Sequence, residues 1–245
     1  MKIFKQIGFA IWMFFNVHRL RVHKARIENA QKALDYKKEQ DEILETTIAW
    51  GGSILDHYGI KVDVEGETTL PEGPVLFVSN HEGYGDIMVF MVGIKNKQFG
   101  FVAKEELGKV PVFGKWITRI GSLYISRGDA RETIKTFKKG EEMIKQGFSF
   151  VIFPEGTRAK DKGMAPFNKG SLKMATKTGI PIVPVTLKGT WALFEKNGYP
   201  CSGEVKFFVH KPVMTKDLTK EEESNLCANI EKTVRDKLME WENQQ

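Results

Sequence analysis

The sequence predicts an α/β fold: a mostly parallel central sheet flanked by helices and preceded by an N-terminal helical hairpin. Two observations carry this prediction. After Gly59, seven short β-rich runs alternate with segments of helical character, and alternating strands and helices pack as a largely parallel sheet covered on both faces. Up to Tyr58 the pattern is helical instead, which divides the chain into a hairpin over residues 1–58 and an α/β domain over 59–245. The 245 residues, 41% hydrophobic and 28% charged with nine prolines, suffice for one sizeable core. They exclude a disordered chain, a collagen-like repeat and a disulfide-stapled miniprotein.

The first element is a basic, aromatic segment. From Met1 to Ala25 the cations are Lys2, Lys5, Arg19, Arg21 and Lys24, with no acid among them, and they bracket an apolar run from Ile7 to Phe15. A spanning helix needs roughly 20 apolar residues, about twice this run, so it should not cross a bilayer alone. A signal peptide would end in a small-residue cleavage site, whereas His18, Arg19, Leu20 and Arg21 follow here. Two readings remain. The helix lies in the headgroup region with its cations on anionic phosphates, or its apolar face packs on the protein's own core. Aromatics on almost every side exceed what one packed stripe requires, which favours the interfacial anchor. From Asp41 to Tyr58, Ile43, Leu44, Ile48, Trp50, Ile54, Leu55 and Tyr58 recur at three- and four-residue steps, an amphipathic packing helix. The polar stretch from Asn29 to Gln40 is either continuous helix or the hinge of the hairpin.

The expected strands are Lys61–Val64, Val75–Ser79, Phe99–Ala103, Leu123–Ser126, Phe148–Phe153, Ile182–Leu187 and Val205–Val209. Helical segments between them are Asp86–Gly93, Val112–Arg119, Ala130–Gln146 and Lys169–Thr178. A closing amphipathic helix carries Leu226, Ile230, Val234, Leu238 and Trp241 on one stripe. In such sheets ligands gather beyond the carboxyl ends of the strands.

The net charge of +6, with a pI of about 9.1, turns the surface towards anionic partners without choosing among nucleic acid, lipid headgroups and phosphorylated metabolites. No nucleic-acid-binding motif is recognisable. Cys201 and Cys227 have neither metal nor redox spacing, which fits structural thiols in a reducing compartment.

Chemistry-bearing residues stand at the predicted strand ends. After Ser79 comes Asn80, His81, Glu82, Gly83, Tyr84, Gly85, Asp86. On a continuous helix a five-residue step turns side chains about 140° apart, but across a glycine-containing turn His81 and Asp86 can meet. An aspartate accepting from one ring nitrogen fixes the tautomer and leaves the other as a general base. No serine nucleophile accompanies them, which points to a hydroxyl supplied by the substrate. The competing reading has Asp86 capping a helix and His81 bonding a loop carbonyl. A metal site would need ligands beyond His81, Glu82 and Asp86, and none is expected. After Phe153, the run Pro154, Glu155, Gly156, Thr157, Arg158 sets a carboxylate, a hydroxyl and a guanidinium at a strand end. Arg158 can grip a phosphate bidentately, and Glu155 can accept from a ligand hydroxyl or hold Arg158. Lys104 and Arg127 stand after two further strands, so three cations at strand ends suggest an anion pocket.

These residues resemble the glycerolipid acyltransferases of the lysophosphatidic acid acyltransferase type. The resemblance covers roughly residues 75–190 in four ordered blocks. His81 and Asp86 fit the family's His-x-x-x-x-Asp motif; Lys104 to Leu107, Val110, Pro111, Gly114 and Gly121 through Arg127 look like the second block; Phe153 to Arg158 match the third; and Ile182 to Val185 resemble the apolar fourth. Glu82 and Gly83 depart from the small or hydroxylic residues frequent there. The resemblance implies transfer of a fatty acyl group from acyl carrier protein or coenzyme A thioester to the sn-2 hydroxyl of 1-acylglycerol 3-phosphate, giving phosphatidic acid. It implies His81 as base, Asp86 as its partner, and Lys104, Arg127, Glu155, Gly156, Thr157 and Arg158 as substrate-binding residues. No metal or redox cofactor is implied, and the expected location is the cytoplasmic face of the inner membrane, held monotopically. Other acceptors, such as glycerol 3-phosphate or another lysophospholipid, remain open, as does a non-catalytic phospholipid-binding module.

Overall fold

The computed structural model describes residues 2–111, 113–126 and 129–244. Helices α1 (Lys2–Arg19) and α2 (Arg21–Lys32) are separated by Leu20 alone; the chain then turns at residues 33–35, with Leu34 at φ 54°, into α3 (Tyr36–Tyr58). The hinge reading of the polar stretch therefore holds. Asp35 starts α3 by accepting from Lys38 N, and Gly59 ends it at φ 63°, a left-handed geometry that costs glycine no Cβ clash.

Helix α1 divides its apolar residues between two surroundings. Trp12 stacks on His57 with ring centroids 4.1 Å apart, and Phe9 meets Tyr58 and Phe194 at 6.0 and 5.6 Å. Ile3, Phe4, Ile7, Ile11, Phe14 and Phe15, at helical spacing on the other side, are exposed. Packing on the body thus accounts for only part of the run. No helix among the described residues is long and apolar enough to cross a membrane.

The sheet follows in sequence order with its helices: β1 (Ile60–Gly66), β2 (Leu76–Ser79), α4 (Gly85–Gly93), β3 (Gly100–Lys104), α5 (Glu105–Gly108), α6 (Phe113–Arg119), β4 (Leu123–Ile125), α7 (Ala130–Lys145), β5 (Phe150–Ile152), a 3₁₀ turn (Lys169–Leu172) running into α8 (Lys173–Thr178), β6 (Ile182–Lys188), α9 (Thr190–Phe194), β7 (Gly203–Val209) and α10 (Lys220–Asn243). Every expected strand is present, β3 shifted by one residue and the others shortened or lengthened by one to three. Helices α5 and α9, four and five residues long, were not foreseen.

Among the described residues the strand order is β1-β7-β6-β2-β5-β3-β4. Strands β2, β3, β4, β5 and β6 are parallel, whereas β7 runs antiparallel to β6 and carries β1 alongside it. All five parallel strands therefore deliver their carboxyl ends to one edge. Pro184 is tolerated within β6 because pairing with β7 begins only at Val185, so the missing N–H lies where the ladder ends.

Alternation along β6 and β7 explains the two covered faces. Thr186 donates to Val234 O of α10 and Phe208 meets Trp241 of the same helix, while Phe207 turns the other way onto Phe90 of α4. Helix α10 is started by a reciprocal cap, Thr219 accepting from Glu222 N and Glu222 from Thr219 N. Phe90 touches the rings of Phe77, Phe99, Phe101, Phe153 and Phe207, and burial of rings of this size contributes roughly 2 to 3 kcal/mol each. Through Phe153 this aromatic core reaches the edge where the parallel strands end.

Candidate active site

The loop between β2 and α4 is fixed from both sides before it does any chemistry. The buried Asn80 side chain donates to Leu187 O and accepts from Leu187 N, at 2.9 and 2.8 Å, which locks the end of β2 to the end of β6. His81 N then donates to Glu155 Oε1 at 2.7 Å, and Ala159 N returns a bond to His81 O at 2.7 Å. The loop after β5 is thereby tied to the loop after β2.

His81 Nδ1 lies 2.5 Å from Asp86 Oδ2. The histidine precedes α4 and Asp86 stands in its first turn, so the glycine-containing loop brings together side chains that a continuous helix would separate. Asp86 is fully buried and receives the Glu82 and Gly83 backbone N–H groups on Oδ2, at 2.9 and 3.2 Å, and the Thr190 hydroxyl on Oδ1. With a carboxylate accepting at Nδ1, the proton sits on that nitrogen and Nε2 carries a lone pair. The imidazole stacks on Phe153, 4.2 Å between centroids and 17° between planes, and its side chain is 20% exposed. A rigid wall, a fixed tautomer and partial solvent access are what a general base requires. The reading of Asp86 as a mere helix cap is set aside by this arrangement.

The other expected site residues divide. Glu155, considered as a group that receives a ligand hydroxyl or holds Arg158, gives one oxygen to His81 N and the other to Ala165 N at 2.8 Å. Burial pushes its carboxyl above the usual range, opposed by these two N–H groups. Its visible work is to brace the two loops, and the residue that grips Arg158 is Glu195. Gly156, at φ 62°, and Thr157 are exposed in the turn that follows, and Arg158 is half-buried. Lys104 is exposed at the carboxyl end of β3. Arg127 lies outside the described residues.

Two participants escaped the sequence reading. Glu82 reaches across to the end of β6, where its Oε2 accepts from Gly189 N, Thr190 N and Thr190 Oγ1 at 2.8, 2.9 and 3.2 Å. Burial first and the Asp86 charge second raise its pKa to about 7, against the bonds from α9. Glu195, just after α9, accepts from Tyr84 N at 2.7 Å and from Arg158 Nη1 at 3.1 Å. Their signals in the sequence were faint: an acid between a histidine and a glycine, and an acid after the short apolar run Trp191 to Phe194.

The Acyltransferase family model matches residues 61–188. A chloroplastic 1-acyl-sn-glycerol-3-phosphate acyltransferase from Brassica napus is 35% identical over 157 residues, 62% of this chain and 45% of that one, so the chain spans about half the length of that relative. The 1-acyl-sn-glycerol-3-phosphate acyltransferase of Borreliella burgdorferi is 33% identical over 182 residues, 74% of this chain and 72% of the relative. Among solved structures, the 1-acyl-sn-glycerophosphate (LPA) acyltransferase PlsC from Thermotoga maritima superposes with a TM-score of 0.72 at 26% identity, covering 97% of this chain and 98% of that one.

Proposed function

This chain belongs to the acyltransferase family, and on that premise we propose that it transfers a fatty acyl group from a thioester to the sn-2 hydroxyl of 1-acylglycerol 3-phosphate. The observation that carries the proposal is the 2.5 Å contact between His81 Nδ1 and Asp86 Oδ2, with no serine or cysteine nucleophile in the motif beside it. The names of the Brassica and Borreliella relatives support this acceptor.

In this scheme His81 Nε2 removes the proton of the acceptor hydroxyl as its oxygen bonds to the thioester carbonyl carbon. The tetrahedral intermediate carries its charge on the former carbonyl oxygen. When it collapses, the carbon–sulfur bond breaks and the thiolate leaves, taking the proton back from the imidazolium. Asp86 stabilises the imidazolium in between and does not itself need to be protonated. Lys104 and Arg158 hold the phosphate from strand ends, with Gly156 and Thr157 in the loop beside Arg158, and Arg127 is a third cation for it. The co-substrate is acyl carrier protein or coenzyme A thioester, and no resident metal or redox cofactor enters any step.

The test is release of free thiol by purified protein given acyl thioester and lysophosphatidic acid. His81→Ala should abolish release, and undiminished release would overturn the assignment. Consumption of glycerol 3-phosphate in place of lysophosphatidic acid would correct the acceptor. Binding of phosphorylated lipid without turnover of any thioester would reduce the protein to a binding module.

We assign the uncovered side of α1 to the headgroup region of one leaflet, on the cytoplasmic face of the inner membrane. Six exposed apolar residues, Ile3 to Phe15, with Lys2, Lys5 and Arg19 at the helix ends, support this reading. Replacing Phe4 and Ile7 by glutamate should abolish binding to anionic liposomes while leaving the circular dichroism spectrum unchanged. Undiminished binding would refute the anchor.

A further inference from the structure

Arg158 is held from two directions by groups outside its own loop. Its guanidinium carbon lies 3.8 Å from the centroid of the Tyr84 ring, and its Nη1 donates to Glu195 Oε1 at 3.1 Å. The same Glu195 oxygen accepts from Tyr84 N at 2.7 Å. One carboxylate therefore joins the loop that carries His81 to the loop that carries Arg158. Glu195 lies beyond residues 61–188, the stretch that matches the family model.

We propose that Glu195 is a positioning residue for acceptor recognition, holding Arg158 against Tyr84 so that its remaining donors meet the acceptor's phosphate in one geometry. The proposal rests on the reading of Arg158 as a phosphate-binding residue.

Three features of the chain favour it. A free arginine side chain carries about 2 kcal/mol of rotamer entropy, and an anion that must order it loses that much affinity, so an arginine clamped in advance binds better. A guanidinium has five N–H donors in one plane, and the bond to Glu195 leaves donors for an incoming phosphate. The neighbouring residues also admit the carboxylate. A Cβ on Gly83 would stand 2.7 and 2.9 Å from the two Glu195 oxygens, so only a glycine there lets Glu195 reach Tyr84 N and Arg158 without shifting. Glu195 itself is held in place by its predecessor, Phe194, whose ring meets Phe9 at 5.6 Å and Tyr84 at 6.0 Å.

The arrangement is not a requirement of the fold. Glu195 is on the surface edge of the site, its side chain 12% exposed, and its Oε2 is buried with no partner among the described residues. Burial raises its pKa, while the bonds from Tyr84 N and Arg158 pull it down. Tucking an acid into this position costs stability, a cost that helix packing alone would not demand.

The experiment is steady-state kinetics on the full chain with lysophosphatidic acid and an acyl thioester varied separately. Glu195→Ala should raise the acceptor KM about tenfold, the loss expected for one charge-assisted bond, with kcat and the thioester KM within about twofold. Glu195→Gln, which still accepts from Tyr84 N and Arg158, should restore most of the affinity. Gly83→Ala pushes only the end of a flexible side chain, so it should keep the fold and reproduce the acceptor defect, which covers the case in which Glu195→Ala fails to fold. In an Arg158→Ala background Glu195→Ala should have no further effect on the acceptor KM. If Arg158→Ala raises the acceptor KM and Glu195→Ala does not, the positioning role is refuted while the phosphate reading stands. If Arg158→Ala leaves the acceptor KM unchanged, the phosphate reading falls and takes the proposal with it. Equal rises in both KM values would refute it in favour of general structural damage.

Discussion

Glu82 should make the folded protein less stable as the pH rises, and replacing it with glutamine should remove that dependence. The carboxyl is held at about 7 in the folded chain against 4.5 for an ordinary glutamate, first by burial and then by the nearby Asp86 charge. Between these two values the unfolded chain has released its proton and the folded chain still holds it. Unfolding is therefore favoured progressively as pH rises from about 4.5, and the whole cost is present above about pH 7. A gap of about 2.5 units corresponds to about 3 kcal/mol, since each unit is about 1.4 kcal/mol. In glutamine the amide oxygen can take the place of Oε2 and still accept from Gly189 N and Thr190 N, but no charge appears beside Asp86.

The assay is urea unfolding followed by tryptophan fluorescence, on wild type and Glu82→Gln, from about pH 5 to about pH 8. The difference between the two matters more than either curve. His210, bonded to Thr186 Oγ1, is lowered from 6.5 to about 4, chiefly by burial and further by Lys237. Stability lost at His210 therefore sets in as pH falls below about 6.5, the opposite sense to Glu82. Subtraction cancels it. The variant should gain up to about 3 kcal/mol over wild type near pH 8, and the gain should shrink towards zero near pH 5. A difference of the same size at both ends would show that Glu82 does not titrate in this window and would refute the reasoning.

Three further outcomes follow from the geometry. Thr190→Val removes the hydroxyl that Asp86 and Glu82 share, and should lower kcat about tenfold with little change in acceptor KM, Thr190→Ser restoring it. Asn80→Ala leaves Leu187 N and O unpaired in a buried place and should cost about 2 kcal/mol in urea unfolding. Gly66→Ala, at φ 96° with the new Cβ only 2.1 Å from Val209 O, should destabilise the β1–β7 edge by about 2 kcal/mol or more, whereas Gly52→Ala, with nothing within 4 Å, should be near neutral.

How much of this was legible in the sequence depends on how local the signal is. The strands were readable because runs such as Phe148 to Phe153 are short, apolar and bounded by turn residues, whereas the glycine-containing loop after β2 only permitted the His81–Asp86 pair, and the resemblance to the His-x-x-x-x-Asp motif singled it out. The end of α3 was marked by Gly59 and α10 by its stripe of Leu226, Ile230, Val234, Leu238 and Trp241. The antiparallel β7 was not legible. Its residues alternate like those of its neighbours, and the passage from Lys188 through α9 to Gly203 is long enough for either strand direction, so neither pattern nor length announces the reversal. In α1 the aromatics on every side were visible, but which of them would meet His57, Tyr58 and Phe194 depends on partners 40 to 190 residues away.

The parts of the site that went unread share one property: they are acids whose partners are far along the chain. Glu82 meets Gly189 and Thr190, and Glu195 meets Tyr84 and Arg158. Their partners are mostly backbone N–H groups, which no residue type announces. The same logic explains Glu155, which the sequence puts in the ligand's path and the structure ties to His81 N and Ala165 N. A buried carboxylate is tolerated only when several donors converge on it. In this chain those donors come from the loops after β2, β5 and β6, three neighbouring parallel strands. The three glutamates thus hold in register the loops that carry His81 and Arg158. Removing one should loosen a loop before it weakens the core, so the first measurable loss should be geometry at His81 or Arg158 rather than global stability.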